Sequence, residues 1–177
     1  MGMRADPGRE LAEARFREIF ANLGAVTGYA RRRGSRDPEA MAAETLTIAW
    51  KRLDAVPSDD PRPWLFATAR NLLLAEARKA RHQAVPEARY EPPPELTNLD
   101  PSLAASLRDL PEHDREALFL VAWEDLTPKQ AARALGIAPG TFRVRLWRAR
   151  RHLQAKLSEC DGERLPQPHA TPEKELT

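Results

Sequence analysis

The stretch APGTFRVRLWRARRHLQAKL, residues 138–157, decides how the rest of the chain is read. Between Pro139 and Ser158 there is no acidic side chain, whereas Arg143, Arg145, Arg148, Arg150, Arg151 and Lys156 all fall there. At 100° per residue, Phe142, Leu146, Ala149, Leu153 and Leu157 form one apolar stripe, which predicts a helix lying on a core. Thr141, Val144, Trp147, Arg148 and Arg151 point the other way, with Arg143 and Arg145 on the flanks. A basic outer face that also exposes Val and Trp is unusual for a purely solvated helix. It suits a helix whose first turns enter a DNA major groove.

The residues just upstream supply the other half of such a reader. Thr127-Pro128-Lys129-Gln130 places a Thr cap, a first-turn Pro and a Gln three residues on, the pattern of a capping box. The short helix TPKQAARAL then stops at Gly136, and Ile137-Ala138 leads into the basic helix. Small Ala131 and Ala132 allow close approach, so the unit reads as a helix-turn-helix. A three-helix bundle with a charged third helix fits the same pattern. Before it, Leu110-Pro111 opens a segment with Ala117, Leu118, Leu120 and Val121 inward.

Toward the N-terminus the chain stays helical, and β-branched residues never alternate with polar ones for long, so the fold class is all-α. A first segment spans about Arg9 to Arg33, with Leu11, Ala14, Ile19, Leu23 and Val26 inward and Gly24 or Gly28 as its break. Arg31 to Arg33 suit a helix C-terminus ended by Gly34. Asp37-Pro38 caps the next helix, which turns Met41, Thr45, Ile48, Ala49 and Leu53 inward and Glu44, Thr47 and Lys51 outward. After the proline-containing loop Val56–Pro63, a helix from Pro61 to about Gln83 buries Leu65, Ala69, Leu72 and Leu73. Its far side gathers Arg70, Asn71, Arg78 and Arg81 around an exposed Leu74, without an acid. A solvated charged face and a binding surface both fit that pattern.

The domain plan follows from composition and charge. Residues 9–83 and 103–159 are expected to form two helical domains, joined by a Pro-rich linker at 84–102 and followed by a disordered tail at 160–177. Net charge is +2 for the 177 residues, so no global field marks the chain. Locally, 1–83 carries net +4, 84–110 net −3, 111–159 net +3 and the remainder net −2. Two basic blocks around an acidic spacer call for a local polyanion site. The single Cys160 leaves no intrachain disulfide or thiolate zinc site. No apolar run matches a signal peptide or a membrane span, so a soluble, cytoplasmic protein without membrane insertion is expected. Four scattered His residues, no local Ser/His/Asp motif and no Gly-rich phosphate loop predict a non-enzyme with neither cofactor nor metal.

With these residues in view, the chain resembles the extracytoplasmic-function (ECF) sigma factors, dissociable promoter-recognition subunits of bacterial RNA polymerase. LRDLPEHDREALFLVAWEDLTPKQAARALGIAPGTFRVRLWRARRHLQAKL is similar to the family's region 4 nearly end to end, including the LGI turn, Gly140-Thr141 and the run from Arg145 to Arg150. AETLTIAWKRLD and PWLFATARNLLL resemble region 2, so the likeness covers roughly residues 10–83 and 103–158. It implies the partners: core RNA polymerase through its clamp and flap, promoter DNA, and an anti-sigma factor. It implies that Glu44, Thr47 and Lys51 dock on polymerase. It implies −35 contacts from Thr141, Arg143, Val144, Arg145, Trp147, Arg148 and Arg151, and −10 contacts from Trp64, Arg70, Asn71, Arg78 and Arg81. For Trp64, base stacking and core packing are both open readings. The chain departs from the family at Ala40 and Ala43, where Asp and Gln are frequent, and in its short loop Val56–Pro63. Ala138 replaces the usual capping Ser, a loss of about 1 kcal/mol at the start of the basic helix. A stand-alone helix-turn-helix regulator and a sigma-like decoy for an anti-sigma protein are the two other readings of these residues.

Overall fold

In the computed structural model, residues 7–82 and 98–163 are described, and within them every regular element is helical. The first half contains α1 (Pro7–Phe20), α2 (Leu23–Arg32), α3 (Pro38–Lys51), a single 3₁₀ turn (Leu53–Ala55) and α4 (Arg62–His82). The second half contains α5 (Pro101–Arg108), α6 (Glu112–Ala122), α7 (Pro128–Leu135) and α8 (Pro139–Glu163).

Local chemistry sets most of these boundaries. Asp37 accepts a hydrogen bond from the Ala40 amide at 2.8 Å and starts α3 with Pro38 in its first turn. Asp100 caps α5 in the same way, accepting from the Ser102 amide. The break between α1 and α2 lies at Ala21-Asn22 and not at Gly24 or Gly28. There the Asn22 amide donates to the carbonyls of Ile19 and Glu18, satisfying groups that a continuing helix would have bonded.

Two side chains expected inside are outside. Leu11 is 73% exposed and Ala14 is also exposed, because α1 packs on α3 through Phe16 and Ile19. On α3, Met41, Ala42, Thr45, Leu46 and Ala49 are buried, and on α4 Leu65, Phe66 and Ala69 are. Ile48, Leu53, Leu72 and Leu73 are half-buried.

The second half closes sooner and ends later than its composition indicates. α5 already begins at Pro101, inside the span read as linker, and α8 continues to Glu163, past residue 159. The linker and tail readings otherwise fall on residues outside those described. Ala117, Leu120, Ala131, Ala132, Phe142, Leu146 and Ala149 make the centre of this half.

The halves are packed together. α4 lies against α7, and buried apolar side chains of both halves form one contiguous cluster.

Candidate nucleic-acid interface

The helix-turn-helix is assembled as its punctuation dictates. The Thr127 hydroxyl accepts from the Gln130 amide, and Gln130 Oε1 accepts from the Thr127 amide at 2.8 Å, completing the capping box. Gly136 closes α7 at φ 66°, in the left-handed region, and accepts no side chain without strain. A Gly136→Ala substitution is expected to lower stability by about 1 kcal/mol in a urea melt, although a Cβ there would meet no neighbouring atom.

On α8 the stripe Phe142, Leu146 and Ala149 is buried and Leu153 is half-buried against the core. This orientation throws Thr141, Arg143, Val144, Trp147, Arg148, Arg150 and Arg151 into solvent, and leaves Arg145 half-buried. Val144 is 51% and Trp147 58% exposed. The Arg151 guanidinium stacks over the Trp147 ring at 5.2 Å, which steadies both on the outer face. Among the described residues no carboxylate pairs with Arg143, Arg148 or Arg151, so the face keeps its full positive charge.

The second basic surface is less open. Asn71, Arg78 and Arg81 are exposed on α4, with Arg78 Nε donating to the Leu74 carbonyl at 3.1 Å. Arg70 is instead engaged: its Nε donates to Glu116 Oε1 at 2.9 Å, and Arg33 Nη1 approaches the same oxygen at 2.7 Å. Trp64, the candidate base stacker, is half-buried and packs on the core. Arg70 is therefore corrected from the acid-free surface that the sequence pattern implied for it, whereas Trp64 takes the core-packing side of its two open readings.

Glu116 and its partners perturb one another. Burial would raise the Glu116 carboxyl, but the Arg33 charge and the Arg70 hydrogen bond outweigh it and hold it below the ordinary carboxylate range. Burial would lower Arg70, but Glu116 more than offsets this and raises it. Tyr29, under the Arg33 guanidinium at 4.9 Å, is pushed up to about 12 by burial. Because the Glu116 carboxyl is depressed in the fold, its contribution is present above the usual carboxylate pKa and is lost as pH falls through the lowered value. Acid is thus expected to loosen the packing of the two halves selectively. Thermal melts between neutral pH and pH 3 should show a smaller acid loss for Glu116→Gln than for the wild type.

The α3 face is exposed at Glu44, Thr47 and Lys51, as its periodicity indicated. Beside it runs a feature that the sequence reading passed over, a groove of about 780 Å³ between α1 and α3. Phe16, Phe20, Leu46 and Trp50 line it, with Phe16 edge-on to Trp50 at 5.0 Å. Phe16 and Phe20, four apart, and Trp50, three beyond Thr47, carried that signal in their spacing.

Comparison with known proteins now bears on what these surfaces serve. The Sigma-70 region 4 family matches residues 102–153, which include α7, the turn at Gly136 and α8 as far as Leu153. The ECF RNA polymerase sigma factor SigL of Mycobacterium tuberculosis is 32% identical over 133 residues, covering 68% of this chain and 75% of SigL. The chain belongs to the ECF sigma factors. EcfG of Rhodopseudomonas palustris, another ECF sigma factor, is 32% identical over 125 residues, 66% of this chain and 69% of its own length. SigM of Bacillus subtilis is 26% identical over 126 residues, 66% of this sigma factor and 77% of SigM. The fold agrees with that membership. The sigma factor RpoE, solved with the anti-sigma factor NepR from Bartonella quintana, superposes with a TM-score of 0.62 at 26% identity over 80% of this chain and 95% of RpoE. CnrH, solved with the cytosolic domain of CnrY, gives 0.58 at 26% identity over 87% of this chain and 99% of CnrH.

Proposed function

We propose that this sigma factor binds core RNA polymerase and directs promoter-specific initiation, reading the −35 element with the outer face of α8. The observation that carries this reading is a basic face, without a carboxylate partner among the described residues, exposing Val144 and Trp147 on the second helix of a capped helix-turn-helix. In this reading Arg143 and Arg148 take guanine edges or phosphate and Val144 a thymine methyl. Arg145, Arg151 and the Trp147 that steadies Arg151 serve the phosphate backbone. Asn71, Arg78 and Arg81, joined by Arg70, meet the −10 element, with Trp64 supporting that site from within the core.

Polymerase docks on Glu44, Thr47 and Lys51 and on the neighbouring Phe16–Trp50 groove. The chain supplies positioning alone, since the nucleotidyl chemistry belongs to polymerase. Among the described residues no helix is long and apolar enough to cross a membrane; it is action beside polymerase that puts the chain in the cytoplasm. An anti-sigma factor is the expected restraint, in keeping with two similar folds solved with such partners.

The test is run-off transcription with purified chain and core polymerase on genomic promoter fragments. Discrete starts that neither component gives alone are expected. A specific gel shift on naked promoter DNA with no polymerase-dependent start would favour a stand-alone regulator instead. Tight polymerase-independent capture of an anti-sigma protein with no start at any promoter would favour the decoy that Ala40 and Ala43 leave open.

A further inference from the structure

Beside the apolar cluster that joins the halves, the ion pairs across the contact take their cations from the first half and their anions from the second. From the first half come Arg32 and Arg33 at the end of α2 and Arg70 on α4. From the second come Glu116 on α6 and Glu124 just after it. Arg32 meets Glu124 through two hydrogen bonds of 3.1 and 2.6 Å, and the two side chains are only 9% and 3% exposed. The Arg32 guanidinium lies close over Gly28, where an added Cβ would stand 3.1 Å from Nη1. A further bond of 2.6 Å ties Gln130 Nε2, in the capping box of α7, to Asp60 Oδ2 in the loop before Trp64.

Such an interface is suited to opening. Buried ion pairs lose most of their Coulomb gain to desolvation, so they fix a geometry more than they deepen it. Among the described residues, buried Arg33 Nη2 also finds no hydrogen-bond partner, a further cost carried by the closed arrangement.

The closed arrangement is also incompatible with the promoter. Elements at −10 and −35 are centred about 25 base pairs apart, about 85 Å along B-form DNA. A compact chain of this length has a radius of gyration of about 16 Å and is about 40 Å across. Both basic surfaces therefore cannot reach their elements while the halves are joined, and Arg70 is occupied meanwhile.

We infer that Glu116 and Glu124 form an intramolecular latch that holds the free sigma factor closed without any partner, and that Arg70 exchanges Glu116 for DNA phosphate when the latch opens. The Arg70 exchange rests on the −10 assignment above, and the latch itself does not.

The experiment uses the full chain alone, comparing wild type, Glu116→Gln/Glu124→Gln and, as a control on the surface pair with Arg31, Glu39→Gln. Solution X-ray scattering at about 0.15 M salt is expected to show the double variant expanding by about 20% or more in radius of gyration, with wild type and control compact. Affinity for a fluorescent, mixed-sequence single-stranded DNA should rise about fivefold in the double variant, and adding Arg70→Ala should remove that gain. Equal size and affinity across the three proteins, with helical circular dichroism retained, would overturn the latch, as would a wild type already extended. If the double variant loses helix, Glu124→Gln alone is decisive: expansion supports the latch and wild-type dimensions refute it. No readout involves polymerase, so absence of initiation would refute the functional reading while leaving this one standing.

Discussion

Replacing Phe142 with Ala is expected to destabilise the second half by about 3–5 kcal/mol, the range for a fully buried aromatic whose cavity cannot collapse. Phe142 is completely buried at the first turn of α8, where that helix meets the close-packed Ala131 and Ala132 of α7. Domains of this size hold only about 5–15 kcal/mol in total, so the change removes a large share of the stability on which the DNA-reading face depends. Urea denaturation followed by far-ultraviolet circular dichroism checks it. Phe142→Leu, which keeps most of the volume, should recover more than half of the loss. A loss below 1 kcal/mol for Phe142→Ala would mean that α8 is not anchored through this stripe.

The second large effect separates base reading from phosphate gripping on a single helix. Arg143→Ala is expected to remove about 1–3 kcal/mol of −35 discrimination, about 5- to 150-fold, and to flatten the preference at one or two base pairs. Arg151→Ala should weaken initiation on all promoters alike and reduce the salt dependence by about one charge. Arg151 differs from Arg143 in being stacked over Trp147, and the proposed reading gives it the phosphate backbone. Run-off transcription on promoters carrying single-base changes across −35, at two salt concentrations, measures both. The same uniform loss from both substitutions would erase the distinction.

Much of the fold was legible in the chain because its signals are local. The capping box at Thr127–Gln130, the left-handed Gly136 and the Phe142, Leu146, Ala149 stripe each involve residues within a turn or two of one another, and each is found as read. The outward faces of α3 and α8 follow from the same periodicity. Pairing across long separations was not legible. Arg32 meets a residue 92 positions away and Arg70 one 46 away, and helical periodicity reports only which way a side chain leaves its own axis. Arg70 therefore read as part of an acid-free surface, because the acid that neutralises it sits on another helix. The charge segregation along the sequence held a trace of this, but block totals hid Glu116 and Glu124 inside a net basic segment. The α1–α2 break was missed for a different reason: glycine content was weighed, while the capacity of the Asn22 side chain to take up two carbonyls was not.

The most direct measurement of the central claim is photo-crosslinking from the exposed ring position of α8. With p-benzoylphenylalanine in place of Trp147, an initiation complex of this chain, core polymerase and end-labelled promoter DNA is irradiated and the adducts are mapped. The account predicts adducts confined to the −35 element and dependent on core polymerase. Adducts elsewhere on the DNA, or none on DNA in complexes that initiate, would contradict it.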